Sequence, residues 1–108
     1  MIAPYNDLAG TEAVIAPVQN QVGAILVEPM LGAGGCIPAQ PEFLAGLREL
    51  ATRIGAVLIF DEVQTARLST GGRQKLLGIT PDMTTVGKFF GGGFAFGAFG
   101  GKKEIMGM

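Results

Sequence analysis

Two stretches of the chain are apolar without interruption, Gly23-Ala24-Ile25-Leu26-Val27 and Ala56-Val57-Leu58-Ile59-Phe60. Neither alternates with polar residues, so both predict strands buried on both faces, as in a parallel sheet. The first stops at Glu28-Pro29 and the second at Asp61-Glu62. Between them, Glu42 to Ile54 puts Phe43, Leu44, Leu47, Leu50, Ala51 and Ile54 on one helical stripe, with Gly55 as its stop. A weaker helical spacing runs from Leu8 to Val18, capped by Asp7 of the Tyr5-Asn6-Asp7 turn and ended by Pro17. Thr84-Thr85-Val86-Gly87, after a Pro81-Asp82 turn, predicts a third strand, Phe94 to Phe99 a fourth, and Lys102 to Met108 a further helix. A glycine-rich loop leads to Pro41, and a polar loop covers Gln64 to Gly78.

Strand, helix and strand with apolar strands mean an α/β fold around a parallel sheet. Such sheets bind ligands in the crevice beyond their carboxyl ends. Three of the four predicted strands run into an ionisable residue there: Glu28, Asp61 and Lys88. That is where a site is expected.

Composition narrows the chemistry. The 108 residues allow one domain, and 48% apolar content with a net charge of -1 excludes disorder and an electrostatic nucleic-acid footprint. No apolar run approaches the roughly 20 residues that span a bilayer, and Met1 to Asp7 show no secretory pattern. No membrane association is expected. Cys36, the one cysteine, fits a reducing, cytoplasmic setting and reads as a buried or inert thiol. There is no histidine, which removes serine and cysteine triads and imidazole metal sites. Proton transfer therefore falls to carboxylates, lysines, Tyr5 or a cofactor. The eighteen glycines are more than twice the usual share of about 7%. They cluster between apolar residues and read as tight turns and close backbone approaches.

Nucleotide motifs fail on inspection. Gly87-Lys88 is followed by Phe89, and Asp82 stands where a phosphate loop begins with glycine. Gly32-x-Gly34 and Gly91-x-Gly93 meet Ile37 and Phe96 where a dinucleotide fingerprint needs glycine. Val57 to Glu62 resembles the magnesium-holding strand of ATPases, but without a phosphate loop it carries little. Taken singly, Asp61-Glu62 could be a solvated strand end and Lys88 a surface lysine. Together, at neighbouring strand ends among glycines, a carboxylate and an amine suit a Schiff-base cofactor with a pyridine ring. The amine would bond the aldehyde, and the carboxylate would keep the ring nitrogen protonated.

The ordered string Val27-Glu28-Pro29-Met30, Pro41-Glu42-Phe43-Leu44, Ile59-Phe60-Asp61-Glu62-Val63-Gln64-Thr65, Thr80-Pro81-Asp82-Met83-Thr84-Thr85-Val86-Gly87-Lys88 and Gly91-Gly92-Gly93 resembles the class III pyridoxal-phosphate aminotransferases. Gly97 to Met106 is similar to the glutamate-1-semialdehyde 2,1-aminomutase branch. The likeness implies an α/β fold: part of the large domain of a fold-type I pyridoxal-phosphate transferase, with a mostly parallel sheet and one antiparallel strand. Residues 1–108 would be a central piece of that domain. It implies pyridoxal 5'-phosphate as cofactor, a small amino or keto substrate, and a homodimeric parent. By the same likeness, Lys88 is the Schiff-base and proton-shuttling lysine and Asp61 the partner of the pyridine nitrogen. Val63 would pack on the ring, Gln64 would reach its phenolic oxygen, and Glu28 would stand on the substrate side.

Leu31 and Ala33 depart from glutamine and glutamate common in the family, and Ala66-Arg67-Leu68 departs from its usual Gly-Phe-Gly-Arg. Family members are several times longer, so the chain alone is expected to be inactive. The alternative is a noncatalytic α/β fragment or binding module that retains the motif.

Overall fold

The computed structural model describes residues 1–107. Its most regular element is helix α2, Pro41–Ile54. Proline at the first helical position costs no hydrogen bond there, Glu42 lies in the first turn, and Gly55 ends the helix at φ 73°. The stripe of Phe43, Leu44, Leu47, Leu50 and Ala51 is buried as its spacing requires. It packs on Leu58 and Phe60 of strand β4 (Val57–Asp61), both 0% exposed, with Ile15 and Val27 completing the core. Truncating Leu44 there would cost about 2–5 kcal/mol. Tyr5 meets Phe43 edge to face at 5.6 Å, which ties the amino-terminal segment to α2.

Helix α1 spans Leu8–Ile15, and Asp7 caps it by accepting the Gly10 N–H at 2.8 Å. A 3₁₀ segment, Ala16–Gln21, follows, because Pro17 supplies no N–H to continue the helix. Strand β1 (Ala24–Val27) is parallel to β4, and β4 is parallel to β5 (Met83–Gly87). β6 (Gly97–Gly101) lies antiparallel to β5, giving the order β1-β4-β5-β6. The mostly parallel sheet with one antiparallel strand is thus present. A short helix, α4 (Lys103–Met106), closes the chain; Met108, the end of the helix read from the sequence, lies outside the described residues.

Five local expectations are corrected. β1 is not buried on both faces: Leu26 is 65% exposed and Ala24 is exposed, because β1 is an edge strand and both long helices cover the other face. The glycine-rich loop holds a small hairpin, β2 (Met30–Leu31) with β3 (Ile37–Pro38), too short to show a pattern. Cys36 at its base is exposed, not buried, and takes a positive φ of 58°. The polar loop from Gln64 contains α3, Gly72–Leu77, and β6 starts at Gly97, three residues beyond Phe94.

One carboxylate joins these elements. Asp82, at the start of β5, accepts the Leu58 N–H of β4 at 2.8 Å and Arg48 of α2 at 2.7 Å. Its other oxygen pairs with Lys102 at 2.6 Å, and its backbone carbonyl takes the Lys102 N–H. Burial alone would raise its pKa. Bonds from Lys102, the Leu58 N–H and Arg48 overcome burial and hold it at about 2, against an ordinary 3.8. A depressed carboxylate stabilises the fold above the unfolded value and loses that contribution as the folded group protonates. Stability should therefore fall between about pH 4 and pH 2. Asp82→Asn should cost on the order of 3 kcal/mol at neutral pH and flatten that acid limb. Urea titrations from pH 2 to pH 7 check both, and an unchanged acid limb in the variant would refute the assignment.

Candidate active site at the carboxyl ends of the strands

The parallel order places the carboxyl ends of β1, β4 and β5 side by side. Glu28 follows β1, Asp61 ends β4, and Lys88 follows β5. Three charges separated by up to sixty positions in sequence thus share one end of one sheet. Asp61 pairs in register with Thr85, and Lys88 follows Gly87, the last residue of that adjacent strand.

Local chemistry fixes each group. Asp61 accepts the Val63 N–H at 3.0 Å through Oδ1, which sets the carboxylate on its own turn. Glu28 Oε2 accepts the Gly32 N–H at 3.0 Å. Val63 and the Phe96 carbonyl close over Gly87, where a Cβ would come 3.1 Å from that oxygen. Lys88 follows at φ 52° in the left-handed region. A side chain other than glycine costs on the order of 1 kcal/mol there, and such strain concentrates at functional sites. The chain holds a lysine where glycine would be easier.

The Asp61-Glu62 pair divides its work. Successive residues leaving a strand face opposite ways. Asp61 is half-buried on the crevice, whereas Glu62 is fully buried. Glu62 accepts the Arg73 and Gln74 backbone N–H groups at 2.7 and 2.9 Å, the Gln74 amide at 3.1 Å and the Thr65 hydroxyl at 2.9 Å. Gly72 lets α3 approach: its φ is 69°, and a Cβ would lie 2.6 Å from the Glu62 carboxylate. Gln74 then donates to Thr84 on β5.

Sequence reasoning missed Arg67 and Gly32, and named Tyr5 as a proton carrier without its contact to Glu28. Tyr5 donates to the Glu28 carbonyl at 2.8 Å. Burial raises its pKa above 10, a Leu31 backbone bond opposes this, and Glu28 and Arg73 add smaller opposed effects, so it is a neutral donor at pH 7. Arg67 lies over the Phe89 ring at 5.9 Å, beside the lysine. Gly32 meets Gln64, as set out below. The adjacency of Phe89 to Lys88 was the one available signal for Arg67. Contacts across 23 to 32 positions left no signal for the other two.

Residues 4–108 match the family model for aminotransferase class III. The chain belongs to the class III aminotransferases. A β-phenylalanine transaminase from Variovorax paradoxus is 52% identical over 98% of this chain and 24% of its own length. A glutamate-1-semialdehyde 2,1-aminomutase from Pelodictyon phaeoclathratiforme is 53% identical over 96% and 24%. Identity therefore does not separate transaminase from aminomutase. Among solved structures, a β-phenylalanine aminotransferase from Variovorax paradoxus superposes with a TM-score of 0.94 at 51% identity, covering 99% of this chain and 25% of that one. A transaminase with PLP bound superposes at 0.92 with 35% identity, over 98% and 25%. This class III chain spans about a quarter of the length of its curated relatives. The family is pyridoxal-phosphate dependent.

The donor set fits that group. An amine on a strained turn and a carboxylate on the adjacent strand end are groups that an aldehyde-bearing pyridine ring requires. Among the described residues no helix is long and apolar enough to cross a membrane, and no acidic or cysteine cluster could hold a metal.

Glu62→Gln should release α3 while leaving α2 intact. The amide keeps one acceptor oxygen and turns its NH2 toward the other of the Arg73 and Gln74 N–H groups. Exchange at the one left facing the NH2 should rise at least tenfold, roughly one lost charged hydrogen bond. Hydrogen exchange resolved by residue reads this directly. Unaltered protection at Arg73 and Gln74 would show that the carboxylate is not what anchors the turn.

Proposed function

We propose that the chain is the segment of a class III aminotransferase or aminomutase large domain that carries the cofactor lysine. The observation that carries this reading is Lys88 in a left-handed turn at the end of β5, beside the Asp61 end of β4. Pyridoxal phosphate, when bound, supplies an electron sink that stabilises a carbanion next to the substrate nitrogen. Lys88 Nζ would hold its aldehyde carbon and, when released, move a proton at the substrate carbon. Asp61 would face the ring nitrogen with Oδ2, since Oδ1 is committed to Val63. Val63 would cover one ring face and Gln64 meet the phenolic oxygen. Glu28, held near the crevice by its bond to Gly32, would border the substrate.

The substrate class is a small amino or keto compound. Leu31 and Ala33 make the Glu28 loop apolar where many relatives carry amide and carboxylate, which favours a different substrate from theirs. The parent would be a cytoplasmic homodimer, with residues 1–108 forming one piece of its large domain. The exposure of Phe89, Phe90, Phe94, Phe96 and Phe99 supports a second copy over this stretch: all five are at least 43% exposed.

Adding pyridoxal phosphate, reducing with borohydride and mapping peptides should place the label on Lys88. Lys75, Lys102 and Lys103 are the exposed competitors. Equal labelling of all four would refute a formed site and favour the noncatalytic reading. Binding should be weak, because the family's phosphate-gripping turn has no counterpart in these residues.

The isolated chain should not transaminate, and it should self-associate with rising concentration through the phenylalanine stretch. Sizing with light scattering checks this. A monodisperse monomer that transaminates an amine donor faster than free cofactor would overturn it.

A further inference from the structure

Gln64 lies where the backbone of another loop is bare. A Cβ placed on Gly32 would overlap Gln64 Nε2, lie 2.5 Å from Cδ and 3.0 Å from Oε1. Gly32 is not among the positive-φ residues, so its conformation does not call for glycine. The three atoms nearest that position all belong to the Gln64 amide. Gly32 is itself held from both sides. Its N–H donates to Glu28 Oε2 at 3.0 Å, and its carbonyl accepts the Gly35 and Cys36 N–H groups, each at 3.2 Å. Glu28 is held in turn by the Tyr5 hydroxyl on its carbonyl. Gln64 is half-buried, and its amide lies against the Gly32 backbone. It is located by shape.

We propose that Gly32 is a positioning residue: its bare Cα, fixed by Glu28 and Tyr5, is the seat that orients the Gln64 amide toward a ligand oxygen in the crevice. What the amide meets there rests on the cofactor reading above; the seating does not. The atoms a methyl group would strike are the far end of a flexible side chain. Gly32→Ala therefore displaces Gln64 and leaves the fold standing, unlike a change at a backbone-limited glycine such as Gly72.

The test compares the 108-residue chain with Gly32→Ala, Gln64→Ala and the double variant. In the unloaded chain, the Gln64 side-chain amide resonances should shift in Gly32→Ala and lose their contact to Gly32, with the unfolding midpoint unchanged. With pyridoxal phosphate as probe, Gly32→Ala should weaken binding about fivefold, the equivalent of one hydrogen bond, and shift the absorption of the Lys88-bound chromophore. On the Gln64→Ala background the same change should have less than a twofold effect, because coupled residues are not additive. Unmoved Gln64 resonances, or a fivefold loss in both backgrounds, would overturn the proposal. Absent labelling of Lys88 would instead count against the cofactor reading, and the resonances of the unloaded chain would still decide the seating.

Discussion

The carboxyl ends of these strands are held in place from the opposite end of the sheet, by Asp82. Its carboxylate accepts from β4, α2 and the β6–α4 corner, and its backbone amide donates to the Leu58 carbonyl. A buried carboxylate is costly unless donors surround it, and three separate elements must converge to supply them. That requirement sets β5 against β4 in one register. A slip of β5 by one residue would turn its side chains to the opposite face and carry Lys88 away from Asp61.

Glu62 is the matching constraint at the carboxyl end. It anchors α3 by three hydrogen bonds and accepts a fourth from the Thr65 hydroxyl, and α3 in turn reaches β5 through Gln74 and Thr84. The crossover from Asp61 to Lys88 is therefore fastened at both ends: Glu62 where it leaves β4, Asp82 where it enters β5. With β5 fixed where it begins, the backbone holds Lys88 in a left-handed turn just past its far end. A loose loop would relax such strain.

Membership of the class III aminotransferases follows from nearly the whole chain, yet the chain is only a quarter of its relatives' length. Several faces of the sheet are open. β1 presents Leu26 to solvent, β6 is exposed throughout, and the phenylalanines after Lys88 are uncovered. Parallel sheets are stable when covered on both sides. The 108 residues hold the framework of the lysine and aspartate but cover one face only.

The sequence by itself determined α2, the order of the main strands, the α/β class, and the three ionisable residues at strand ends. Each follows from local rules: a helical stripe, unbroken apolar runs, and the place of charges at their ends. It could not show that Asp61 and Glu62 serve opposite faces, that α3 exists, that Cys36 is exposed, or that Asp82 is more than a turn residue. Those depend on partners distant in sequence. Six residues of α3 carry too little periodicity to declare a helix without the Glu62 carboxylate at its start. Gly32 looks like any loop glycine until Gln64 is packed against it. Short-range pattern decides which segments form; only the folded packing decides which side chains meet, because burial and hydrogen bonding are settled between segments.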